Sequence, residues 1–206
     1  VIRLLQINLN HTQAAQDLLM QKILKEDIEI VAVQEPWSTA NNEYWITSKK
    51  GTAAILWNRG TTSFPCKLLM KGHHMVAVKY KNMVIASCYC SPSESAQAFE
   101  LMLNEIRLLV TQEKNNTIIC GDFNAKAHLW SSRVEDARGK DLIEMAHMLN
   151  LRLINEGNIA TCVRPQGSSI IDITWSTVDI SSRIQNWRVE EDDISLSDHR
   201  YVAFSV

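Results

Sequence analysis

The sequence predicts an α/β domain in which two β-sheets pack together with helices on the outside. Three observations carry that reading. Short apolar runs with strand character recur along nearly the whole chain. Amphipathic helical stripes separate only a few of them. No repeat, linker or low-complexity segment interrupts the 206 residues, so residues 1–206 read as a single domain with one sizeable core.

Taken in order, residues 1–9 (VIRLLQINL) form a predicted strand. Residues 13–25 follow as a predicted helix, with Ala15, Leu18, Leu19 and Ile23 on one face, and Asn10 and Gln13 at the spacing of a capping box. Residues 28–34 are a near-continuous apolar strand. Further strand-like pieces fall at 44–48, 53–57, 75–80 and 84–89. A second helix fits 96–110, with Phe99, Met102, Leu103, Ile106 and Val110 facing inward. The strand at 117–122 comes next, then a helix at 140–150 with a stripe of Leu142, Ile143, Ala146 and Leu149. Segments 161–164 and 169–175 flank Pro165-Gln166-Gly167, which reads as a hairpin turn. Val189 and residues 201–206 supply the last strand material.

Bulk properties exclude several classes. Hydrophobic residues make up 46% of the chain, as in globular rather than disordered proteins. Lys plus Arg is 21 against 23 Asp plus Glu, a formal charge of -2. Any surface that binds a polyanion is therefore a local patch. No apolar stretch approaches the roughly 20 residues needed to span a bilayer, and no signal peptide is visible. Five cysteines, an odd number without paired CxxC spacing, point to a reducing compartment. Cys88 and Cys90 share a strand face and read as packing. His73-His74 lacks a metal-ligand pattern and reads as structural or surface. Both ends of the chain lie in predicted strands, as if the domain were cut from something longer.

Apolar runs repeatedly end in a polar residue suited to metal or phosphate chemistry. Leu4-Leu5-Gln6-Ile7 ends in Asn8, and Ile30-Val31-Ala32-Val33 ends in Gln34-Glu35. The run from Val84 ends in Tyr89, Ile118-Ile119-Cys120-Gly121 ends in Asp122, and Ser197-Asp198-His199 leads into the last strand. Together these supply what phosphodiester hydrolysis needs. Glu35 and Asn8 offer oxygen ligands to a hard divalent cation. Asp122 is placed to align and deprotonate a water. His199, if protonated, stabilises phosphoryl oxygens. Tyr89 and Asn124 donate hydrogen bonds. Asp198 is a poor orienter of its neighbour His199, because adjacent side chains of an extended chain diverge. Asp172 sits in an otherwise apolar strand, where a lone carboxylate is costly. The expectation is that Asp172 pairs with His199 while Asp198 faces the metal. Gly121-Asp122-Phe123-Asn124 taken alone equally fits an Asx-type turn.

The ordered set Gln6-Ile7-Asn8, Gln34-Glu35-Pro36, Tyr89-Cys90-Ser91-Pro92, Gly121-Asp122-Phe123-Asn124, Ser169-Ile170-Ile171-Asp172 and Ser197-Asp198-His199 resembles the endonuclease/exonuclease/phosphatase superfamily from end to end. Asn8-Leu9-Asn10-His11, Gln34-Glu35-Pro36-Trp37, His128-Leu129-Trp130-Ser131 and Ser168-Ser169-Ile170-Ile171-Asp172 are similar to the apurinic-endonuclease-like domains of insect non-LTR retrotransposons, the telomere-targeting TRAS group among them. The resemblance implies a four-layered α/β sandwich of two mixed sheets flanked by helices, DNase I-like, and a Mg²⁺-dependent nuclease in which Mn²⁺ substitutes. It implies nicking of double-stranded chromosomal DNA in the nucleus, leaving a 3′-hydroxyl that primes reverse transcription by the rest of a polyprotein. Glu35 then matches the principal metal ligand, with Asn8 beside it and Asp198 as a second metal-proximal acid. Asp122 and Asn124 match the water-orienting acid and its companion, Tyr89 the phosphate-contacting tyrosine, and Asp172 and His199 the acid–imidazole pair. Thr161 and Ser169 match positions that contact DNA. Enzymes that cleave at abasic sites typically carry a tryptophan where this chain has Ser169, which favours intact duplex as substrate.

The hairpin tip, with Arg164 and Gln166, suits groove and phosphate contact. It equally fits a solvated turn. Lys49, Lys50, Arg133, Arg138 and Lys140 are candidates for a phosphate-tracking rim. A lipid or inositol phosphatase of the same superfamily, and a DNA-binding module with decayed catalysis, are the alternatives.

Overall fold

The computed structural model describes residues 1–39, 43–58, 60 and 65–206. Its first third runs through β1 (Arg3–Asn8), α1 (Gln13–Lys25), β2 (Ile30–Gln34), β3 (Trp45–Thr47), β4 (Ala53–Trp57) and β5 (Lys67–Lys71). Next come β6 (Met75–Tyr80), β7 (Met83–Tyr89), α2 (Ala96–Glu113), β8 (Thr117–Asp122), a 3-10 turn at His128–Trp130 and α3 (Ala137–Met148). The chain closes with β9 (Leu151–Leu153), β10 (Cys162–Arg164), β11 (Gly167–Ser169), β12 (Asp172–Thr177), α4 (Val178–Ser181), β13 (Gln185–Val189) and β14 (Val202–Ser205).

Two six-stranded mixed sheets result, ordered β13-β14-β1-β2-β4-β3 and β5-β6-β7-β8-β12-β9, with β10-β11 as a separate hairpin. Each sheet holds one parallel pair at its centre, β1 with β2 and β7 with β8, and each pair is joined through a helix. Leu4, Ile30, Ile55, Val76, Ile85, Ile118 and Phe204 interleave between the two sheets. The outer face of the first sheet buries Leu5, Ile7, Val31 and Val33 with Ala15, Leu19 and Ile23 of α1. The outer face of the second buries Ala86 and Ile119 with Phe99, Leu103 and Ile106 of α2 and Leu142 and Met145 of α3. Four layers follow: helix, sheet, sheet, helices.

The predicted elements recur within a residue or two at α1, β4, β6 and β8. The capping box does not: Asn10 has φ 47, and Thr12 is the residue before the first turn, without a side-chain cap bond. β5 and β9 were not predicted. β5 lies at a sheet edge, bounded by Lys67 and Lys71, and its leucines and methionine stay partly or fully exposed. It therefore lacks the apolar contrast that marks a buried strand. β9 has three residues directly after α3, too few for a period.

Candidate active site

Strand direction gathers the functional groups at one edge. β1, β2, β7 and β8 end there, with Asn8 opposite Gln34 and Tyr89 opposite Asp122. β12 begins there, with Asp172 opposite Asp122. His199 lies just before β14 and bridges to Cys162 at the foot of the hairpin. At this edge the layer between the sheets turns polar: Gln6, Asn8, Gln34, Ser87, Asp122, Asp172 and His199 are all buried.

The His199 ring lies among three carboxylates and is hydrogen-bonded to Asp172. Its Nδ1 lies 2.8 Å from Asp172 Oδ2, and its Nε2 lies 3.7 Å from Asp122 Oδ2 and 4.0 Å from Asp198 Oδ1. Gln6 Nε2 donates to the other Asp172 oxygen at 3.2 Å, and Thr161 Oγ1 accepts the amides of Ile171 and Asp172. Burial disfavours the imidazolium, but the Asp172 carboxylate, with help from Asp122, overcomes that and holds the His199 pKa well above its usual value. With Nδ1–H fixed on Asp172, Nε2 faces Asp122 and Asp198.

Asp122 is held from two sides. Asn8 Nδ2 donates to Oδ2 at 2.9 Å and the Asn124 amide donates to Oδ1 at 3.0 Å. Burial, then the neighbouring Asp172 charge, raises its pKa to about 7, against the opposing pull of His199. The Asx-turn reading holds, and the same carboxylate that closes the turn also faces the His199 ring. Asn124 has φ 46, outside the region most side chains adopt, and its Nδ2 donates to Cys90 O at 3.2 Å.

Glu35 also has a positive φ, 46, set where β2 turns out of the sheet. The Tyr89 hydroxyl donates to Glu35 Oε1 at 2.6 Å and His11 Nε2 lies 3.4 Å from the same atom, which leaves Oε2 for a cation. Burial, and then the Glu35 carboxylate, keep the Tyr89 phenol neutral far above the usual range. Glu35 and Asn8 Oδ1 are hard oxygen donors, the kind that fits Mg²⁺ or Mn²⁺. Asn8 Oδ1 accepts the Asn10 amide at 2.8 Å, which uses one of its two lone pairs.

Several sequence expectations change here. Asp198 is engaged by the hairpin: Arg164 Nε donates to its Oδ2 at 2.5 Å, so an ion pair with Arg164 takes the place of an open metal-facing carboxylate. Thr161 is fully buried and offers no side-chain surface to DNA; it fixes the start of β12 instead. Arg138 is no rim charge, because its guanidinium donates to the carbonyls of Cys90, Ser91 and Glu94. Lys50 pairs with Glu94 at 2.7 Å. Trp130 packs edge-on against Trp175 in the core. Gln166 is exposed at the hairpin tip, and Ser169 is half-buried. Ser169, Arg164, Asn124, Lys126 and Ile171 line a cavity of about 410 Å³ beside the acids. Sequence reasoning gave no role to Gln6, His11 or Ser197, whose Oγ donates to Asn8 O at 2.7 Å. Gln6 carried a legible signal, since it shares a strand face with Asn8 two residues on.

Residues 83–203 match the model of the endonuclease–reverse transcriptase family. The fold superposes on the endonuclease domain of TRAS1, a telomere-specific non-LTR retrotransposon, with a TM-score of 0.84, 26% identity and coverage of 100% of this chain and 98% of that one. It also superposes on a 3′-5′ exonuclease, NExo, from Neisseria meningitidis, with a TM-score of 0.74, 16% identity and 99% of each chain covered. A 3′ phosphatase NExo structure from Neisseria, bound to a product DNA hairpin, gives 0.73 at 14% identity, covering 100% and 99%. No curated protein matches the chain in sequence. With its family match spanning more than half its length, the chain belongs to the endonuclease–reverse transcriptase family.

Proposed function

We propose that this domain is a metal-dependent DNA endonuclease that nicks one strand of chromosomal DNA in the nucleus and leaves a 3′-hydroxyl to prime reverse transcription. The observation that carries the reading is the convergence of Asp172, hydrogen-bonded to His199, and Asp122, 3.7 Å from the other ring nitrogen, with a Glu35 carboxylate whose Oε2 has no hydrogen bond among the described residues. The family match and the likeness to the TRAS1 endonuclease domain support DNA as substrate and a reverse transcriptase as the neighbouring activity.

Glu35 and Asn8 would hold Mg²⁺, with Asp198 near it once its Arg164 partner turns to phosphate. When bound, the cation offsets charge on the phosphate and on the departing oxygen. The protein's own groups do the rest. Asp122, anchored by Asn8 and the Asn124 amide, accepts the proton of an attacking water. The His199 imidazolium donates Nε2–H to a non-bridging oxygen, where negative charge grows. Asp172 and Gln6 hold that ring in orientation. Tyr89 steadies Glu35 through its hydroxyl. The hairpin, with Arg164 and Gln166, lies against the groove, and Ser169 leaves the wall of the adjoining cavity open where an aromatic would close it.

The decisive experiment is conversion of supercoiled plasmid to open circles by folded protein in Mg²⁺, with EDTA, Asp122→Ala and His199→Ala as controls. Nicking that all three abolish, and no release of phosphate from a phosphoinositide, is the expected result. Absence of nicking with both Mg²⁺ and Mn²⁺ would refute the reading.

A further inference from the structure

Behind Tyr89 lies a second cluster of ligating groups that the nuclease chemistry does not use. His74, Cys90 and Glu94 place an imidazole nitrogen, a thiol sulfur and a carboxylate oxygen within 4.8 Å of one another. Each comes from a different piece of chain: the turn before β6, the residue after β7, and the loop before α2. In sequence they show no spacing pattern.

The cluster is built rather than incidental. His74 and Cys90 are buried at 1% and 0% exposure. His74 Nδ1 is 3.2 Å from Tyr89 O, an acceptor, so Nδ1 is the donor there and Nε2 is the nitrogen left to bind a cation. Nε2 is 3.5 Å from Glu94 Oε2. A carbonyl that fixes the tautomer of an imidazole is the outer-shell arrangement of metal-binding histidines. The backbone is staked on both sides. Glu105 of α2 accepts the amides of His73 and His74, and Arg138 of α3 donates to the carbonyls of Cys90, Ser91 and Glu94. The Lys50 ammonium, 2.7 Å from Glu94 Oε2, already supplies a positive charge there.

We propose that His74, Cys90 and Glu94 bind a zinc-type divalent cation, separate from the oxygen-ligand site at Glu35. One sulfur, one imidazole nitrogen and one carboxylate suit Zn²⁺ and not Mg²⁺, and three protein ligands leave a fourth position for water. Binding forms a metal–sulfur bond at the cost of the Cys90 S–H bond, and the proton leaves to solvent. Lys50 gives up Glu94 in the exchange. The bound metal ties the segment after β7 to the turn before β6. It thereby steadies the Cys90 carbonyl, on which Asn124 rests.

Cobalt reports the site directly. Protein in excess Mg²⁺, which fills the oxygen-ligand site, is titrated with Co²⁺ and read for sulfur-to-cobalt charge transfer in the near ultraviolet. One equivalent giving that band, and its displacement by Zn²⁺, is expected. Cys90→Ser should remove the band and weaken Zn²⁺ about 100-fold, Glu94→Gln should weaken it about tenfold, and Cys162→Ser should change neither. Zn²⁺ should raise the melting temperature of the wild type and not of Cys90→Ser. If Cys90→Ser does not fold, His74→Gln takes its place and must shift the visible cobalt bands. A wild type without the charge-transfer band, a band that survives Cys90→Ser, a band lost in Cys162→Ser, or cobalt bands unmoved by His74→Gln would each overturn the proposal. Because the readout is metal binding, its failure leaves the nuclease reading untouched.

Discussion

Asp122 and Asp172 stand directly opposite each other across the β8–β12 ladder, and the His199 ring touches both. Like charges in cross-strand register repel, and sheets ordinarily avoid them. Here the pair is the device. Asp172 takes Nδ1 and holds the imidazolium; Asp122 is left with a proton affinity near neutrality, which suits the proposed role of base for water.

Asp172→Asn should therefore disable the site without unfolding it. Gln6 Oε1 is buried without a hydrogen bond among the described residues, so the Gln6 amide can turn to accept from the new one. The imidazolium loses its main counter-charge. Turnover in plasmid nicking should fall by about 10²–10⁴-fold with DNA affinity nearly unchanged. Retention of full activity would remove Asp172 from the mechanism.

Gly121→Ala should act through stability. A Cβ there would lie 2.4 Å from Cys88 O and 2.8 Å from Cys88 Cβ, across the parallel β7–β8 pair. Neither neighbour can swing aside, so strands must separate, at a cost of about 2–4 kcal/mol. Urea unfolding measures this; a midpoint equal to the wild type's would show that the strands yield freely. The glycine serves the close approach of another strand, not of a ligand.

Strand ends carrying Asn8, Glu35, Tyr89 and Asp122 were readable because the polar residue closes each apolar run, and parallel pairing puts such ends on one edge. The Asp172–His199 pair was readable from the cost of a buried lone acid. Arg138 and Thr161 were not, since their partners lie 48 and 10 residues away and only the packed fold brings them together. His74, Cys90 and Glu94 are illegible for the same reason, although each sits in plain view along the chain.

The hairpin should govern where the enzyme cuts. Arg164 binds Asp198 while Gln166 is exposed at the tip. Replacing Arg164 and Gln166 together by alanine should alter the nick pattern on telomeric-repeat DNA more than total nicking of plasmid, because Asp122, Asp172 and His199 keep their own partners and only Asp198 loses one. Mapping nicks on telomeric and ribosomal-gene DNA checks this. Equal loss on every substrate would mean that the tip supplies only general affinity.

Asp122→Asn gives a test in which function and stability move apart. In metal-free protein the Asp122 carboxyl titrates at about 7, above the roughly 3.9 of an unfolded aspartate. A raised carboxyl favours the fold fully below the unfolded value, and that contribution drains away as pH climbs from about 4 through about 7. The asparagine stays neutral throughout, while Asp172 continues to hold the His199 charge. Any cost of placing an amide against Asn8 is the same at every pH. In EDTA, the melting temperature of the variant minus that of the wild type should thus be more positive at pH 8 than at pH 5, by on the order of 5 °C for a chain of this size. Nicking should be lost at both. A difference that does not change with pH would mean that Asp122 ionises like an exposed acid. In that case burial between two sheets, beside a second carboxylate, would not be what tunes the base.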